Sequence, residues 1–236
     1  MNINFIFFIY YISIMFKAIA AVSNNKGIGI NNDLPWNLKS DLMKFKILTI
    51  GKKNNSIIMG KNTWNSIKIL PFRHHYILSS TLKIDEVKNN YEIKSFSDLN
   101  SLIEYLKTKN YDNNWIIGGS EIYKLFFDKN LIDYIYLTFI DKSFKCDKFF
   151  PNIPKYFIKN EIRKQSNLYE NKYNIYDIIY VKIKKNQKLL YKTKEKCLIK
   201  DIHYDDYPNI YLTISINNKE VQTVPENLSY SNSTYI

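Results

Sequence analysis

Short apolar runs alternate with amphipathic stretches through most of the chain. Ala18 to Val22 predicts a buried strand, and Gly27 and Gly29 break it into a loop. Lys39 to Leu48 predicts a helix with the acceptors Ser40 and Asp41 in its first turn. Ser56 to Gly60 predicts a second strand, Asn62 to Ile67 a short helix, and Tyr76 to Ser80 a third strand. Phe96 to Lys107 places Leu99, Leu102, Ile103 and Leu106 on one helical face. Trp115 to Gly119 predicts a strand that runs into a helix from Ser120 to Phe127, and Tyr134 to Ile140 predicts another strand. Tyr173 to Lys184 alternates as a late antiparallel edge strand. Strands alternating with helices and then a β-rich close predict an α/β fold, a mixed sheet with helices on both faces.

The Lys-rich stretch Lys184 to Lys196 reads as a linker. After it, Cys197 to Ile202, Tyr211 to Ile216 and Glu220 to Val224 predict three short strands, with Asn217-Asn218-Lys219 as a hairpin turn. They suggest a small all-β unit, SH3-like, and the Ser- and Asn-rich end reads as frayed. At the other end, Asn4 to Phe16 is almost wholly apolar but short of the roughly 20 residues of a membrane span. It lacks a basic n-region, and Met15 is an alternative start. The expected organisation is an apolar extension over 1–15, a main domain over 16–186, and a linker with a small β module of unassigned function over 187–236.

Composition changes this picture little. A hydrophobic content of 45% and an aromatic content of 16% can fill a core and exclude global disorder. The net charge of +12 is spread over scattered lysines, with no basic helix and no RNA-binding signature. It suggests a bias toward anionic ligands; no nucleic acid and no stable membrane association are expected. Cys146 and Cys197 form neither a metal-spaced cluster nor a disulfide framework, so a reducing, cytoplasmic setting and no metal are expected.

Chemistry enters at five places. In Gly27-Ile28-Gly29 to Phe45, a glycine turn and a polar loop with Pro35-Trp36 lead to Asp41 beside Leu42 and Phe45. A carboxylate against apolar neighbours is costly until a ligand pairs with it. Gly60-Lys61-Asn62-Thr63-Trp64 and Gly118-Gly119-Ser120-Glu121-Ile122-Tyr123 each end a strand on glycine and begin a helix, which offers free N–H groups to a phosphate. The second lacks the three spaced glycines of a dinucleotide fingerprint. Arg73, after Leu70-Pro71-Phe72, is placed to clamp a carboxylate. Cys146 to Pro151 reads as a structural bend, and His74 and His75 as structural residues. Plainer readings stand beside these: an amphipathic surface helix, two ordinary strand-to-helix turns and a solvated arginine.

Taken in order, these motifs resemble dihydrofolate reductase over roughly Phe16 to Lys184. The resemblance is carried by Ala20-Ala21, Gly27-Ile28-Gly29, Leu34-Pro35-Trp36, Asp41 with Phe45 and Lys46, Ile58 to Trp64, Ile67, Arg73, Leu78-Ser79-Ser80, Ile117-Gly118-Gly119, Tyr123, Leu137-Thr138 and Asp147 to Pro151. It implies a mainly parallel sheet of eight strands flanked by helices, and NADPH-dependent reduction of dihydrofolate to tetrahydrofolate, the step that antifolates target in one-carbon metabolism.

By the same resemblance, Asp41, Trp36 and Thr138 would be the catalytic group. Asp41 would pair with the pterin, Trp36 would hold a water, and Thr138 would support the network. Leu42, Phe45, Ile67 and Leu70 would pack on the substrate rings, Arg73 would bind its α-carboxylate, and the carbonyls of Ile19 and Ile117 would face the pterin. The carbonyls of Ala21 and Ile28, with Gly29, would meet the nicotinamide. Gly60, Lys61, Asn62, Thr63 and Ser66, with Gly118, Gly119, Ser120, Glu121, Ile122 and Tyr123, would flank the pyrophosphate. The Gly118-Gly119 peptide is expected to be cis. Lys61, Ser79 and Ser80 would meet the 2′-phosphate, and Lys94 would lie near the adenosine. The loop Gly29 to Leu38 would act as a lid.

The chain departs from the family pattern at Phe72, where glycine is frequent. It departs again at Glu121, where some members carry a cation, leaving Lys61 and Lys83 to the phosphate. A pyrimidine reductase of flavin biosynthesis shares the fold, but Asp41, Pro35-Trp36 and Arg73 speak against it. A non-catalytic RNA-binding role is opposed by the presence of Asp41. His203-Tyr204-Asp205-Asp206 is read as an Asp-stabilised turn in preference to a metal site. A protein is the candidate partner of the C-terminal module.

Overall fold

The computed structural model describes residues 14–165, 173–192, 195–206 and 209–229. The apolar extension and the terminal Ser- and Asn-rich residues lie outside the described residues, apart from Ile14 and Met15. The chain runs through β1 (Phe16–Ser23), β2 (Gly27–Gly29), α1 (Lys39–Ile50), β3 (Asn55–Gly60), α2 (Lys61–Ser66) and β4 (His74–Leu78). Next come β5 (Asp85–Lys88), β6 (Tyr91–Phe96), α3 (Leu99–Lys107), β7 (Asn113–Gly118), α4 (Ser120–Asp128) and β8 (Ile132–Ile140). Then follow β9 (Lys148–Phe149), β10 (Phe157–Lys164), β11 (Ile175–Lys182), β12 (Lys188–Tyr191), β13 (Glu195–Asp206), β14 (Asn209–Ile216), β15 (Lys219–Thr223) and β16 (Leu228–Ser229).

Among the described residues, nine strands form one sheet in the order β10-β11-β8-β1-β7-β3-β4-β6-β5. The pairs β8–β1, β1–β7, β7–β3, β3–β4 and β4–β6 are parallel, and the three outer pairs are antiparallel. The mixed, mainly parallel sheet is as expected, with nine strands in place of eight. β5 is a short, wholly exposed edge with no apolar alternation to betray it.

Alternation along each strand sends neighbouring residues to opposite faces. In β3, Ile58 joins Ala18, Ile116, Leu102 and Phe126 on the face covered by α3 and α4. Ile57 and Met59 join Ile19, Ile77 and Trp115 on the other face, against Phe45 and Leu48 of α1 and Trp64 of α2. Helices therefore cover both faces.

Several boundaries differ from the sequence reading. Phe96 ends β6, and α3 begins only after Asp98, whose side chain caps it by accepting from the Ser101 N–H at 2.9 Å. β4 begins at His74 and ends at Leu78, before Ser79. β11 is not an edge: β10 lies outside it, overlooked because only its first two residues are buried. The supposed linker supplies β12 and the start of β13. The C-terminal unit is thus an antiparallel sheet of five strands, β15-β14-β13-β12-β16, in place of three. Leu189, Cys197, Ile199, Leu212, Ile214 and Leu228 of that sheet share one buried cluster with Phe157, Ile158 and Ile178 of the large sheet.

Candidate active site

α1 is amphipathic only loosely. It lays Phe45 and Leu48 on the sheet and leaves Leu42 52% exposed, facing outward where a ligand could cover it. Asp41 sits in its first turn, half-buried. The buried Tyr123 of α4 donates its hydroxyl to the Ile19 carbonyl at 2.7 Å. Its pKa is raised, first by burial and then by the Asp41 carboxylate, so α1, β1 and the start of α4 converge at this corner. Thr138 of β8 lies there too, 2% exposed. The Lys44 Nζ donates to its Oγ1 at 3.1 Å and pairs with Asp177, which stands opposite Thr138 in the β8–β11 register. Gln165 Nε2 donates to the same Asp177 oxygen at 2.9 Å.

The loop before α1 is tied down at its start. Gly27 and Gly29 pair with β9, and a Cβ on Gly27 would fall 2.2 Å from Cys146 Sγ, so no larger residue fits. Asp147 Oδ2 accepts from the Asn31 N–H at 3.2 Å. The segment read as a structural bend therefore anchors this loop. Trp36 is buried edge-on to Phe144 at 5.2 Å, and its indole Nε1 has no hydrogen-bond partner among the described residues. Trp36 also lines, with Asp33, Leu34, Pro35, Asn37 and Leu42, a cavity of about 550 Å³. A buried donor beside a cavity needs a water or a ligand.

At the far end of α1, Arg73 is 2% exposed. Its Nε donates to the Pro71 carbonyl at 3.1 Å and its Nη1 to Thr49 Oγ1 at 2.7 Å, with the guanidinium 5.8 Å from the Phe45 ring. Burial lowers its pKa to about 10, which leaves it charged at neutral pH. His75 Nε2 accepts the Leu70 N–H at 3.0 Å and so shapes the loop that carries Leu70. Its pKa is lowered to about 4, by burial first and by the Arg73 charge next. Phe72 takes a φ of 65°, the left-handed conformation that suits glycine, and the Lys53 Nζ lies 4.9 Å from its ring centroid. Ile67 and Leu70 pack with Phe45 beside the same cluster, which also includes Ile117.

On the other side of Tyr123, the two glycine turns meet. Gly118 has a φ of 106°, and a Cβ there would lie 3.0 Å from the Tyr123 ring. The Gly118-Gly119 peptide is cis, as expected. A Cβ on Gly119 would stand 3.5 Å from Thr63 Oγ1, and one on Gly60 3.0 Å from Ile122 Cγ1. Gly119 precedes α4 and gives it no side-chain cap, so the helix presents bare N–H groups at Ser120 and Glu121. The turns form a cradle that side chains would fill, and it fits a pyrophosphate.

Lys61 and Ser80 are exposed at the outer end of this cradle, and the Lys61 Nζ donates to Thr81 Oγ1 at 3.0 Å. Three residues predicted to meet the cofactor also bond within the protein. Ser79 Oγ accepts from the Leu82 N–H at 3.1 Å within its own turn, and Ser66 Oγ donates to the Thr63 carbonyl at 2.9 Å. Lys94 pairs with Asp85 at 2.5 Å and lies 5.2 Å from the Tyr105 ring centroid. Asn62 and Glu121 are exposed, while Ala21 and Ile28 are partly buried on β1 and β2.

Sequence reasoning did not single out Lys44, Thr49, Thr81, Gln165 or Asp177, and it gave Asp147 and His75 no part in the site. Lys44 had a signal, three residues after Asp41 on one helix. Gln165 and Asp177 had none, because only the strand register brings them in. Among the described residues no cluster of three or more His, Cys, Asp or Glu could hold a metal. His203 is bound to Thr213 at 2.8 Å and stacked on Tyr211; the Asp205 and Asp206 side chains lie outside the description.

Comparison with known proteins gives consistent results. A family model described as dihydrofolate reductase matches residues 15–184. The dihydrofolate reductase of Heliothis virescens is 39% identical over 146 residues, covering 58% of this chain and 79% of that one. The enzyme of Sus scrofa is 37% identical over 147 residues, with coverage of 58% and 79%. Among solved structures, dihydrofolate reductase from Enterococcus faecalis, complexed with NADP(H) and RAB-propyl, is similar with a TM-score of 0.63. It is 25% identical, and the match covers 72% of this chain and 97% of that chain.

Proposed function

The chain belongs to the dihydrofolate reductase family, and from that premise we propose that it reduces 7,8-dihydrofolate to 5,6,7,8-tetrahydrofolate by hydride transfer to C6 and protonation at N5. It is an NADP-dependent oxidoreductase of folate and one-carbon metabolism. The observation that carries the finer reading is the convergence on Tyr123: the half-buried Asp41 carboxylate acts on its hydroxyl, and the Gly118 turn packs against its ring.

Asp41 receives the pterin edge, because its two oxygens match the paired N–H donors at N3 and the 2-amino group. Trp36 Nε1, buried and without a partner among the described residues, holds the water that leads a proton toward N5. Thr138 braces the same corner. Leu42, Phe45, Ile67 and Leu70 cover the rings, which removes the exposed face of Leu42 from water. Arg73, fixed by Thr49 and Pro71, binds the α-carboxylate of the glutamate tail. The Ile19 and Ile117 carbonyls face the pterin, and those of Ala21 and Ile28 hold the nicotinamide carboxamide. Gly60 to Thr63 and Gly118 to Tyr123 cradle the pyrophosphate, with Lys61 and Ser80 nearest the 2′-phosphate. NADPH bound there supplies the hydride. The lid excludes water while Asp147 and β9 hold its root.

The reading places the protein in the cytoplasm, a setting supported by two free cysteines. Among the described residues no helix is long and apolar enough to cross a membrane. The test is NADPH oxidation with dihydrofolate, run against NADH and with a 2,4-diaminopyrimidine inhibitor. Oxidation that requires dihydrofolate, prefers NADPH and is blocked by the inhibitor is expected. No dihydrofolate-dependent oxidation would overturn the reading.

A further inference from the structure

We propose that the outward face of the C-terminal five-stranded sheet binds single-stranded RNA, with lysines of β12 and β13 meeting phosphates and the His203–Tyr211 pair stacking on a base. This surface is separate from the reductase cleft and from the reaction proposed for it. Sequence alone reads the lysines as scattered and expects no nucleic acid; the fold gathers them.

Residues 182–200 carry eight lysines and one acid, Glu195, so this short stretch holds more than half of the net charge of +12. Three of these lysines are held near its start. Lys182 donates to the Asn130 carbonyl at 2.6 Å, Lys184 pairs with Asp133 at 2.6 Å, and Lys185 pairs with Asp201 at 3.7 Å. The strand register sorts three more by face. Leu189 and Cys197 stand opposite one another and are buried. Lys188, opposite Leu198, and Lys196, opposite Leu190, therefore point away from the core. Lys200 continues the outward row of β13, and all three are exposed. Two residues along a strand span about 6.8 Å. Lys196 and Lys200 thus flank the partly buried Leu198 on its own strand, and Lys188 faces it from β12. The result is a basic triangle around one apolar side chain.

Further along β13 the same face turns aromatic. Leu212 and Ile214 of β14 are buried, so Tyr211, Thr213 and Ser215 face outward, and His203 lies opposite Tyr211. The two rings are stacked 4.4 Å apart and 10° from parallel. His203 Nε2 is bound to Thr213 Oγ1 at 2.8 Å, which fixes its ring. Both rings are partly exposed, so a base can extend the stack. Cations that follow a backbone and rings that accept any base are the two parts of a single-strand binding surface. An acidic protein or an anionic membrane would engage the lysines but leave the flat ring pair without a matching partner. Ser215 and Gln222 bring a hydroxyl and an amide to this face, partners for the 2′-hydroxyl that DNA lacks. Of the acids here, Asp201 is engaged by Lys185, and Glu220 stands away on β15.

The test follows the fluorescence anisotropy of a labelled mixed-sequence RNA of about 12 nucleotides on the full chain, over a range of salt. A face variant combines Lys188→Gln, Lys196→Gln and Lys200→Gln. A control variant combines Lys52→Gln, Lys129→Gln and Lys159→Gln, which removes the same charge from exposed positions elsewhere. The wild type is expected to bind with a Kd of about 10 μM near physiological salt. Its log K should fall against log salt with a slope of about −2, because each of the three phosphate contacts contributes about 0.7. The face variant should lose about tenfold in affinity and most of that slope, while the control variant stays within about twofold of wild type. Tyr211→Leu should lose about tenfold with the slope unchanged. Reductase turnover should be the same in the face variant as in the wild type. No RNA binding, equal losses in the two lysine variants, or a slope unchanged in the face variant overturns the proposal. So does tighter binding of the same-sequence DNA, of poly-glutamate or of anionic vesicles than of RNA. Should Tyr211→Leu not fold, the slope of the face variant decides alone: its loss supports the proposal, and its persistence overturns it. A wild-type chain that fails to oxidise NADPH with dihydrofolate defeats only the reductase reading.

Discussion

The two sides of the cleft are built in different materials. On the substrate side, side chains are already bonded within the protein: Arg73 to Thr49 and the Pro71 carbonyl, Lys44 to Thr138 and Asp177, and His75 to the Leu70 N–H. On the cofactor side, the floor is backbone, two glycine turns in mutual contact, with Lys61 and Ser80 exposed at the rim. One side recognises charge with groups fixed before the ligand arrives. The other recognises shape and adds loosely held charge at the edge. A fixed buried charge loses little on binding, whereas an exposed lysine is screened by solvent and must be ordered. Deleting a side chain should therefore hurt the substrate side most, and adding one should hurt the cofactor side most.

The largest expected effect is on stability, and it comes from acid. His75 has a folded pKa of about 4, below its ordinary 6.5, so the neutral form is the one the fold favours. Its contribution is full above that ordinary value and is lost as pH falls toward 4, an order of about 3 kcal/mol. Denaturant midpoints over this range should fall more steeply in the wild type than in His75→Gln. Equal slopes would remove His75 from the account. Next, Asp41→Asn should lower turnover a hundredfold or more, about 2.7 kcal/mol or above, while NADPH affinity holds. Near-normal turnover would break the contrast at its strongest point.

On the other side, Gly118→Ala meets both a φ of 106° and a Cβ contact of 3.0 Å with Tyr123. It should weaken NADPH binding by about 2 kcal/mol, measured by fluorescence titration, and leave Arg73-dependent binding of the glutamate tail intact. Equal loss at both ligands would mean that the two sides are not separable. The smallest effect is Lys61→Met, which should cost about 0.5 to 1 kcal/mol of NADPH affinity, shrinking as salt rises. A salt-independent loss would mean that Lys61 is not a rim charge.

Much of this was legible in sequence where local pattern decides. β1, β3, α1 and α4 follow from apolar runs and first-turn acceptors, and Asp41 stands out as an acid among apolar neighbours. The glycine turns were legible because φ and close approach demand glycine at Gly118. The β5–β6 hairpin was missed although Asn89 and Asn90, at φ of 49° and 68°, are the residues a tight hairpin turn prefers. β12 was hidden by lysines that mask the burial of Leu189. Ser79, Ser66 and Lys94, expected at the cofactor, also bond inside the protein, and no linear motif reveals those internal partners. The Lys44, Asp177 and Gln165 arrangement depends on a register between distant strands, which no local window contains.

One buried cluster joins Phe16 near the beginning to Leu228 near the end. During synthesis, the first strand leaves the ribosome long before β7 and β8, its partners on either side, exist. Phe157 meets Phe127 early, but the cluster it shares with the five-stranded sheet is complete only once that sheet has been translated and folded. The largest cluster is therefore complete only late in synthesis, and its non-local pairing makes that completion slow. Until then the nascent protein is a client for whatever in the cell shields sticky strands, and a premature stop codon in the last strands would leave a reductase with one flank open.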